Sequence, residues 1–284
     1  METDQSKTPF FSIIIATFNA EKSIQQCLNS ILAQQFAASE ILIQDGGSND
    51  GTPTIIDAYR ENITYFVSCP DNGIYDAWNR ALPHARGEWI CFLGADDCFT
   101  DKNVLKNYSG FLTTRNPKTK VVYGINHIVN SEGETLYPVG TPWQELRSLF
   151  YKTMCLPHQG MMHRRSVFDD VGLFDDTYTI AADYELLLRI FQNSQPEHWP
   201  NPVCRTPLGG ISTVPQNNLI CLKEIKRAQM RNGLPKHSLL GVKLWVGAVI
   251  RLMMWRTMGE KNARILLDAL RKVRGLGPFW SRAY

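Results

Sequence analysis

Apolar runs and apolar helical stripes alternate along the first hundred residues. Residues 11–16 (FSIIIA) form a short, continuous Ile-rich run, the pattern of a strand buried on both faces. The polar stretch Thr17-Phe18-Asn19-Ala20 follows, and then Ile24, Cys27, Leu28, Ile31 and Leu32 recur at helical spacing. Residues 40–44, 63–67 and 88–93 predict three more strands. Thr52-Pro53 suits a helix N-cap and first helical position, and Asp71-Asn72-Gly73 turns into a helix over residues 75–82. Regular strand–helix alternation predicts an α/β fold, with a mostly parallel central sheet flanked by helices. Such sheets bind ligands beyond the carboxyl ends of their strands. Thr17, Asn19, Asp45, Asp71, Asp96 and Asp97 all fall there.

The pattern loosens further on. Residues 120–123, 125–129 and 158–163 predict strands, and residues 131–134 a turn. Asp183 opens a helix whose buried side carries Leu186, Leu187, Leu188, Ile190 and Phe191. No internal repeat or low-complexity segment interrupts the chain.

Composition adds two constraints. With 284 residues, 44% hydrophobic and 20% charged, the chain is one large globular domain or one domain with an appendage, and wholesale disorder is excluded. The net charge of +3 hides an asymmetry: residues 1–220 carry a net −8 and residues 221–284 a net +11. The expected division is therefore a catalytic body over 1–220 and a basic amphipathic helical region over 221–284. Residues 1–9 are polar and lack the apolar core of a signal peptide, so a cytoplasmic protein is expected. Seven scattered cysteines with no C-x-x-C pair argue against a disulfide framework or zinc site and for reduced thiols.

Candidate chemistry concentrates at Asp96-Asp97, adjacent carboxylates after an apolar strand. Such a pair repels unless a cation lies beside it, and carboxylate oxygens suit Mg2+ or Mn2+ shared with a substrate's phosphates. An acidic surface turn, or Asp97 as a helix cap, is the alternative. No G-x-G-x-x-G follows the first strand and no phosphate-loop motif occurs. A nucleotide would be held by carboxylates, backbone and a metal, with the Phe18 ring available to a base.

Four segments then agree with one family. Residues 12–19 (SIIIATFN), 44–52 (QDGGSNDGT), 71–79 (DNGIYDAWN) and 94–97 (GADD) resemble, in order and spacing, family 2 glycosyltransferases of the GT-A (nucleotide-diphospho-sugar transferase) fold. The resemblance spans about residues 10–215, and the 71–79 segment is most similar to enzymes of bacterial surface polysaccharides such as colanic acid and O-antigen. It implies a metal-dependent, inverting hexosyltransferase. Thr17, Asn19 and Asp45 would line the base and ribose pocket, and Asp71 and Gly73 would border the nucleotide. Asp96 would face the ribose, and Asp97 would hold Mn2+ or Mg2+ on the diphosphate. Residues 180–189 resemble the segment carrying the general base, which places that role on Asp183; capping its own helix is the alternative for this residue. His158 resembles a residue beside the acceptor. The implied donor is a nucleoside diphosphate sugar, with UDP the family's commonest carrier, and the implied acceptor a polyprenyl-diphosphate-linked saccharide. A sugar-phosphate nucleotidyltransferase would want a glycine-rich basic first loop, which is missing; a non-catalytic sugar-nucleotide-binding scaffold would lack Asp97 or Asp183, and both are present.

The tail reads differently. Residues 239–255 are the most apolar stretch, but at 17 residues interrupted by Lys243 and Arg251 they fall short of a membrane span. Lys236, Lys243 and Arg251 share one helix side, and residues 261–274 repeat the apolar–basic theme. A helix lying in the membrane interface, cations towards headgroups, is expected, which would seat the protein peripherally on the inner face of the cell membrane. Packing on the catalytic body, a homodimer contact and a spanning hairpin are the alternatives. No nucleic-acid motif accompanies the charge.

Overall fold

The structure, a computed structural model, describes residues 8–210, 215–235, 239–273, 275–278 and 280. Lys236 and Arg274 of the predicted basic faces lie outside the described residues.

Four strands, β1 (Phe11–Thr17), β2 (Ser39–Asp45), β3 (Tyr65–Ser68) and β4 (Trp89–Gly94), form the parallel half of one sheet in the order β3-β2-β1-β4. All seven β1 residues are buried. Its side chains alternate between two cores: Ile13 and Ile15 pack on one face with Ile41, Ile43 and Leu93, while Ile14 and Ala16 pack on the other with Leu42, Ile90 and Phe92. Helix α1 (Ile24–Leu32) covers the first face through Ile24, Cys27, Leu28 and Ile31. Helices α2 (Thr52–Asp57) and α3 (Ile74–Ala81) complete the βα units. Gly51, not Thr52, is the N-cap of α2; the Thr52 N–H is satisfied instead by Asp50 Oδ1 at 2.9 Å.

Beyond β4 the sheet becomes mixed. The predicted pair 120–123 and 125–129 is one strand, β6 (Val121–Val129), with register shifts around residues 123–126. The order continues β4-β8-β6-β9-β5, with β5 (Cys98–Phe99), β8 (Met162–Arg164) and β9 (Glu197–Pro207), and β7 (Thr135–Val139) pairs with β6. The strand expected over 158–163 is thus confined to its last residues. Between these lie α4 (Val104–Leu112), α5 (Trp143–Phe150), α6 (Val167–Val171) and α7 (Ala182–Ile190).

The C-terminal region is α8 (Pro215–Arg231) followed by α9 (Leu239–Val273), which kinks at Gly259 (φ 74°). Residue 220, the expected boundary, falls inside α8, and Ile225 and Ala228 of that helix are buried in the core with α7. Among the described residues, no helix is long and apolar enough to cross a membrane.

Candidate active site

The carboxyl ends of β1–β4 share one edge because those strands are parallel and in register: Thr17 stands beside Asp45, and Ala16 beside Gly94. The loops leaving β1 and β2 are zipped together. Asn19 N–H donates to Ser48 Oγ (2.7 Å), Asn49 N–H to Asn19 Oδ1 (3.1 Å), Ala20 N–H to Thr52 Oγ1 (2.7 Å) and Glu21 N–H to Asp50 Oδ2 (3.2 Å). Asn19 sits at φ 49°, a left-handed conformation that asparagine tolerates better than most residues. This framework leaves Phe18 63% exposed beside the loop, while Thr17 Oγ1 is buried without a hydrogen-bond partner.

Asp45 is fully buried, and its carboxylate is already committed. Gly47 N–H (3.1 Å), Ser48 N–H (2.9 Å) and the hydroxyls of Ser48 (2.5 Å) and Ser68 (2.6 Å) all donate to it. In this geometry it shapes the 46–48 loop instead of offering an open oxygen to a nucleotide. Asp45→Ala would orphan several donors, for an expected loss of about 3 kcal/mol in chemical unfolding.

Asp71 is half-buried next to that loop. Its Oδ1 accepts from Gly73 N–H (2.9 Å), and a Cβ on Gly46 would stand 2.9 Å from its Oδ2, so a larger residue there would have to displace the Asp71 carboxylate. Desolvation raises the Asp71 pKa, and the charges of Asp76 and Asp45 add to the rise. Gly73 (φ 115°) precedes α3 in a backbone conformation that favours glycine. The rest of the 71–79 segment anchors this corner. Asp76 accepts from Asn72 N–H (2.9 Å) and pairs with Arg80, while Asn79 exchanges two hydrogen bonds with the Phe174 backbone.

Asp97 is 2% exposed. Its Oδ2 accepts from Gly94 N–H (2.7 Å), and its Oδ1 has no partner. Burial, then the adjacent Asp96 charge, pushes its pKa up to about 7. Asp96 is exposed, and its pKa is also raised by desolvation. No salt bridge among the described residues reaches either carboxylate. An orphaned, buried carboxylate oxygen beside a second carboxylate, with no basic side chain to neutralise it, fits a hard divalent cation. Thr206 of β9 brings a buried hydroxyl, with no other hydrogen-bond partner, close enough to Asp97 to favour its ionised form.

Asp183 is the second residue of α7, whose N-cap is Ala181. It therefore does not cap its helix. Its Oδ1 accepts from Tyr184 N–H (2.8 Å) and from the Tyr75 hydroxyl of α3 (3.3 Å), leaving Oδ2 unused among the described residues. Burial raises its pKa to about 6. Tyr75 lies two residues after Gly73, so Asp183 is tied to the corner that carries Asp71.

His158 is placed differently from expectation. It is 4% exposed, packed against Trp78 (5.4 Å between centroids) and Phe92 (5.8 Å), and its Nε2 is buried without a partner. Burial drives its pKa well down, and the neighbouring His163 falls to about 4. The neutral His158 ring is thus buried within an aromatic cluster in this geometry and is not presented to an acceptor. Tyr75 and Thr206, by contrast, received no role from the sequence. Tyr75 lies inside a quoted motif, whereas Thr206 is 109 residues from Asp97 and its spacing carried no signal.

The comparisons with known proteins agree with this architecture. The glycosyl transferase family 2 profile matches residues 12–172. A Mycobacterium tuberculosis PGL/p-HBAD biosynthesis glycosyltransferase is 31% identical over 269 residues, covering 88% of this chain and 96% of that protein. The chain belongs to glycosyl transferase family 2. Among solved structures, the Pyrobaculum calidifontis mannosyltransferase PcManGT, in complex with GDP-Man and Mn2+, superposes with a TM-score of 0.62 at 19% identity, over 93% of this chain and 76% of that one. Staphylococcus aureus TarS 1-349 with UDP-GlcNAc gives 0.60 at 18% identity, over 90% and 83%. The fold is GT-A, and the protein is a glycosyltransferase that uses nucleotide sugars.

Proposed function

We propose that the chain is an inverting hexosyltransferase that moves a sugar from a nucleoside diphosphate, UDP above all, to a hydroxyl of a lipid-linked saccharide in bacterial surface polysaccharide synthesis, of lipopolysaccharide O-antigen type. The observation that carries it is a buried carboxylate with an unpartnered oxygen, Asp97 after β4, on the sheet edge where the βα loops gather; Asp183 on α7 is tied through the Tyr75 hydroxyl to the helix that begins at Gly73. Asp97 would hold Mn2+ or Mg2+, with Asp96 beside it towards the ribose. Among the described residues no group of three or more His, Cys, Asp or Glu side chains is arranged to hold a metal. The remaining ligands would accordingly be phosphate oxygens and water, the usual habit of these ions. When bound, the ion supplies positive charge for the departing diphosphate.

The chain's own groups do the rest. Thr17, Asn19 and Phe18 border the base, and Asp45 fixes the loop they pack against. Asp71 and the glycine at position 73 allow close approach to the nucleotide. Asp183 takes the proton of the acceptor hydroxyl as that oxygen attacks the anomeric carbon. One base opposite the leaving group gives direct displacement, and a diphosphate leaves without needing protonation. The test is UDP or GDP release from UDP- and GDP-hexoses with Mn2+, in the presence of lipid-linked and free saccharide acceptors; no release from any donor would refute the reading.

The lipid acceptor is supported by α9. Leu239, Val242, Val246, Ile250 and Met253 are exposed along the first half of that helix, and Ile265, Leu266 and Leu270 along the second. Basic residues Lys243, Lys261, Arg271 and Lys272 accompany them. We place this face on an anionic membrane surface, with the −8 body held away from it. A chain ending at residue 235 should lose sedimentation with phosphatidylglycerol vesicles while retaining nucleotide binding; undiminished sedimentation would remove the membrane role.

A further inference from the structure

The general base is gripped from two sides by residues far from it in sequence. From α3, the Tyr75 hydroxyl, buried among Trp78 and Phe174, shares its one proton between the Ile180 carbonyl oxygen (2.6 Å) and Asp183 Oδ1 (3.3 Å). From α8, the Glu224 carboxylate is 8% exposed and forms no salt bridge with a Lys or Arg among the described residues. It accepts instead from three successive backbone N–H groups, Thr179 (2.7 Å), Ile180 (2.8 Å) and Ala181 (3.0 Å). Those donors belong to the segment that leads into α7, two to four residues before Asp183. A buried anion satisfied only by backbone donors fixes that segment rigidly, because its loss would leave three buried N–H groups unpaired.

We infer that Tyr75 and Glu224 are positioning residues for the proposed base, fixing the Asp183 carboxylate and the segment that carries it in place. The inference rests on the reading of Asp183 as base. The phenol hydrogen bond favours the ionised carboxylate, and the nearby Glu224 charge opposes it. The phenol itself stays neutral, since burial and then Asp183 raise its own pKa. The other titratable groups around Asp183 are Cys221 on α8, whose thiol is pushed up to about 12 by burial and the Asp183 and Glu224 charges, and Glu185 on α7, which is paired with Arg189. No Lys or Arg forms a salt bridge with Asp183 among the described residues.

The arrangement also gives α8 a part in catalysis. Through Glu224, the helix that leads towards the basic C-terminal region holds the base-bearing segment, and through Ile225 and Ala228 it is embedded in the core. A chain cut before α8 would lose the grip on Asp183, whereas one cut after it would keep it.

The experiment follows the side-chain carboxyl carbon of Asp183 by NMR in the full chain carrying 13C-labelled aspartate, with the signal assigned by its loss in Asp183→Asn. The wild-type midpoint is expected near pH 6, Tyr75→Phe should move it up, and Glu224→Gln should move it down. The acid limb of UDP release from UDP-hexoses with Mn2+ should move with the midpoints, so Tyr75→Phe loses more activity at pH 6 than at pH 8. A merely structural role would lower activity at every pH without moving the midpoint. Tyr75→Phe removes a single oxygen and decides the matter even if Glu224→Gln does not fold. A Tyr75→Phe midpoint equal to wild type, or shifts of both variants in one direction, overturns the inference. If Asp183→Asn turns over like wild type, the base assignment fails instead, and the midpoints still report on the grip.

Discussion

Asp183→Asn is expected to lower sugar transfer by about a hundredfold or more while leaving nucleotide binding unchanged. The loss matches the range of about 10²–10⁴ for a positioned general base. An amide cannot take the acceptor's proton, yet it preserves the shape of the carboxylate and keeps an oxygen for the Tyr184 N–H and Tyr75 hydroxyl. The pH dependence gives the sign. A base must be ionised to act, and burial raises the Asp183 pKa to about 6. Wild-type transfer should therefore rise through pH 6 and level off by about pH 8, and the residual activity of Asp183→Asn should lack that limb. Transfer by the variant within a few-fold of wild type would remove Asp183 from the mechanism.

Asp97→Asn is the second large effect, and it acts on binding as well as rate. Without this carboxylate, metal-dependent retention of the diphosphate should fall at least about tenfold and transfer by about a thousandfold. The same substitution should make the metal-free protein more stable at neutral pH. The Asp97 pKa is raised from 3.8 to about 7 by burial and then by Asp96, so between those values the folded state holds a proton that the unfolded state has released. Stability must then fall as pH rises from about 4 to about 7. A shift of this size corresponds to roughly 4 kcal/mol, which a neutral asparagine would not lose. Its carbonyl oxygen still accepts from Gly94 N–H. Thermal unfolding from pH 4 to 8 without metal, on wild type and variant, reads this directly; parallel curves would show that Asp97 is not strained by burial.

The parallel half of the sheet was legible in the sequence because β1, β2 and β4 are buried on both faces and so read as mostly apolar runs, β1 above all. The edge carrying the polar residues followed from strand direction alone. The second half was less legible for a physical reason: its strands pair antiparallel and parallel by turns, β8 is only three residues long, and β6 bends through a bulge that reads in sequence as two pieces. At the site, the sequence supplied the residue types and not how far each is already committed. Asp45 and Asp97 are both buried aspartates at strand ends, yet Asp45 accepts four hydrogen bonds while Asp97 keeps an oxygen free. His158 showed no sign in sequence that it would be buried against the rings of Trp78 and Phe92. Glu224 lies in a helix whose basic composition pointed to a surface, and only packing reveals its three backbone bonds to residues 179–181.

The proposed transfer requires a divalent ion joining Asp97 to the donor's diphosphate. Calorimetric titration of UDP, and separately of GDP, into the full chain tests it with Mn2+ present and with a chelator in its place. One nucleotide should bind saturably with Mn2+, lose at least about tenfold in affinity with chelator, and show the same weak binding to Asp97→Asn in either condition. Equal affinity with and without the ion, or undiminished Mn2+-dependent binding by Asp97→Asn, would contradict it.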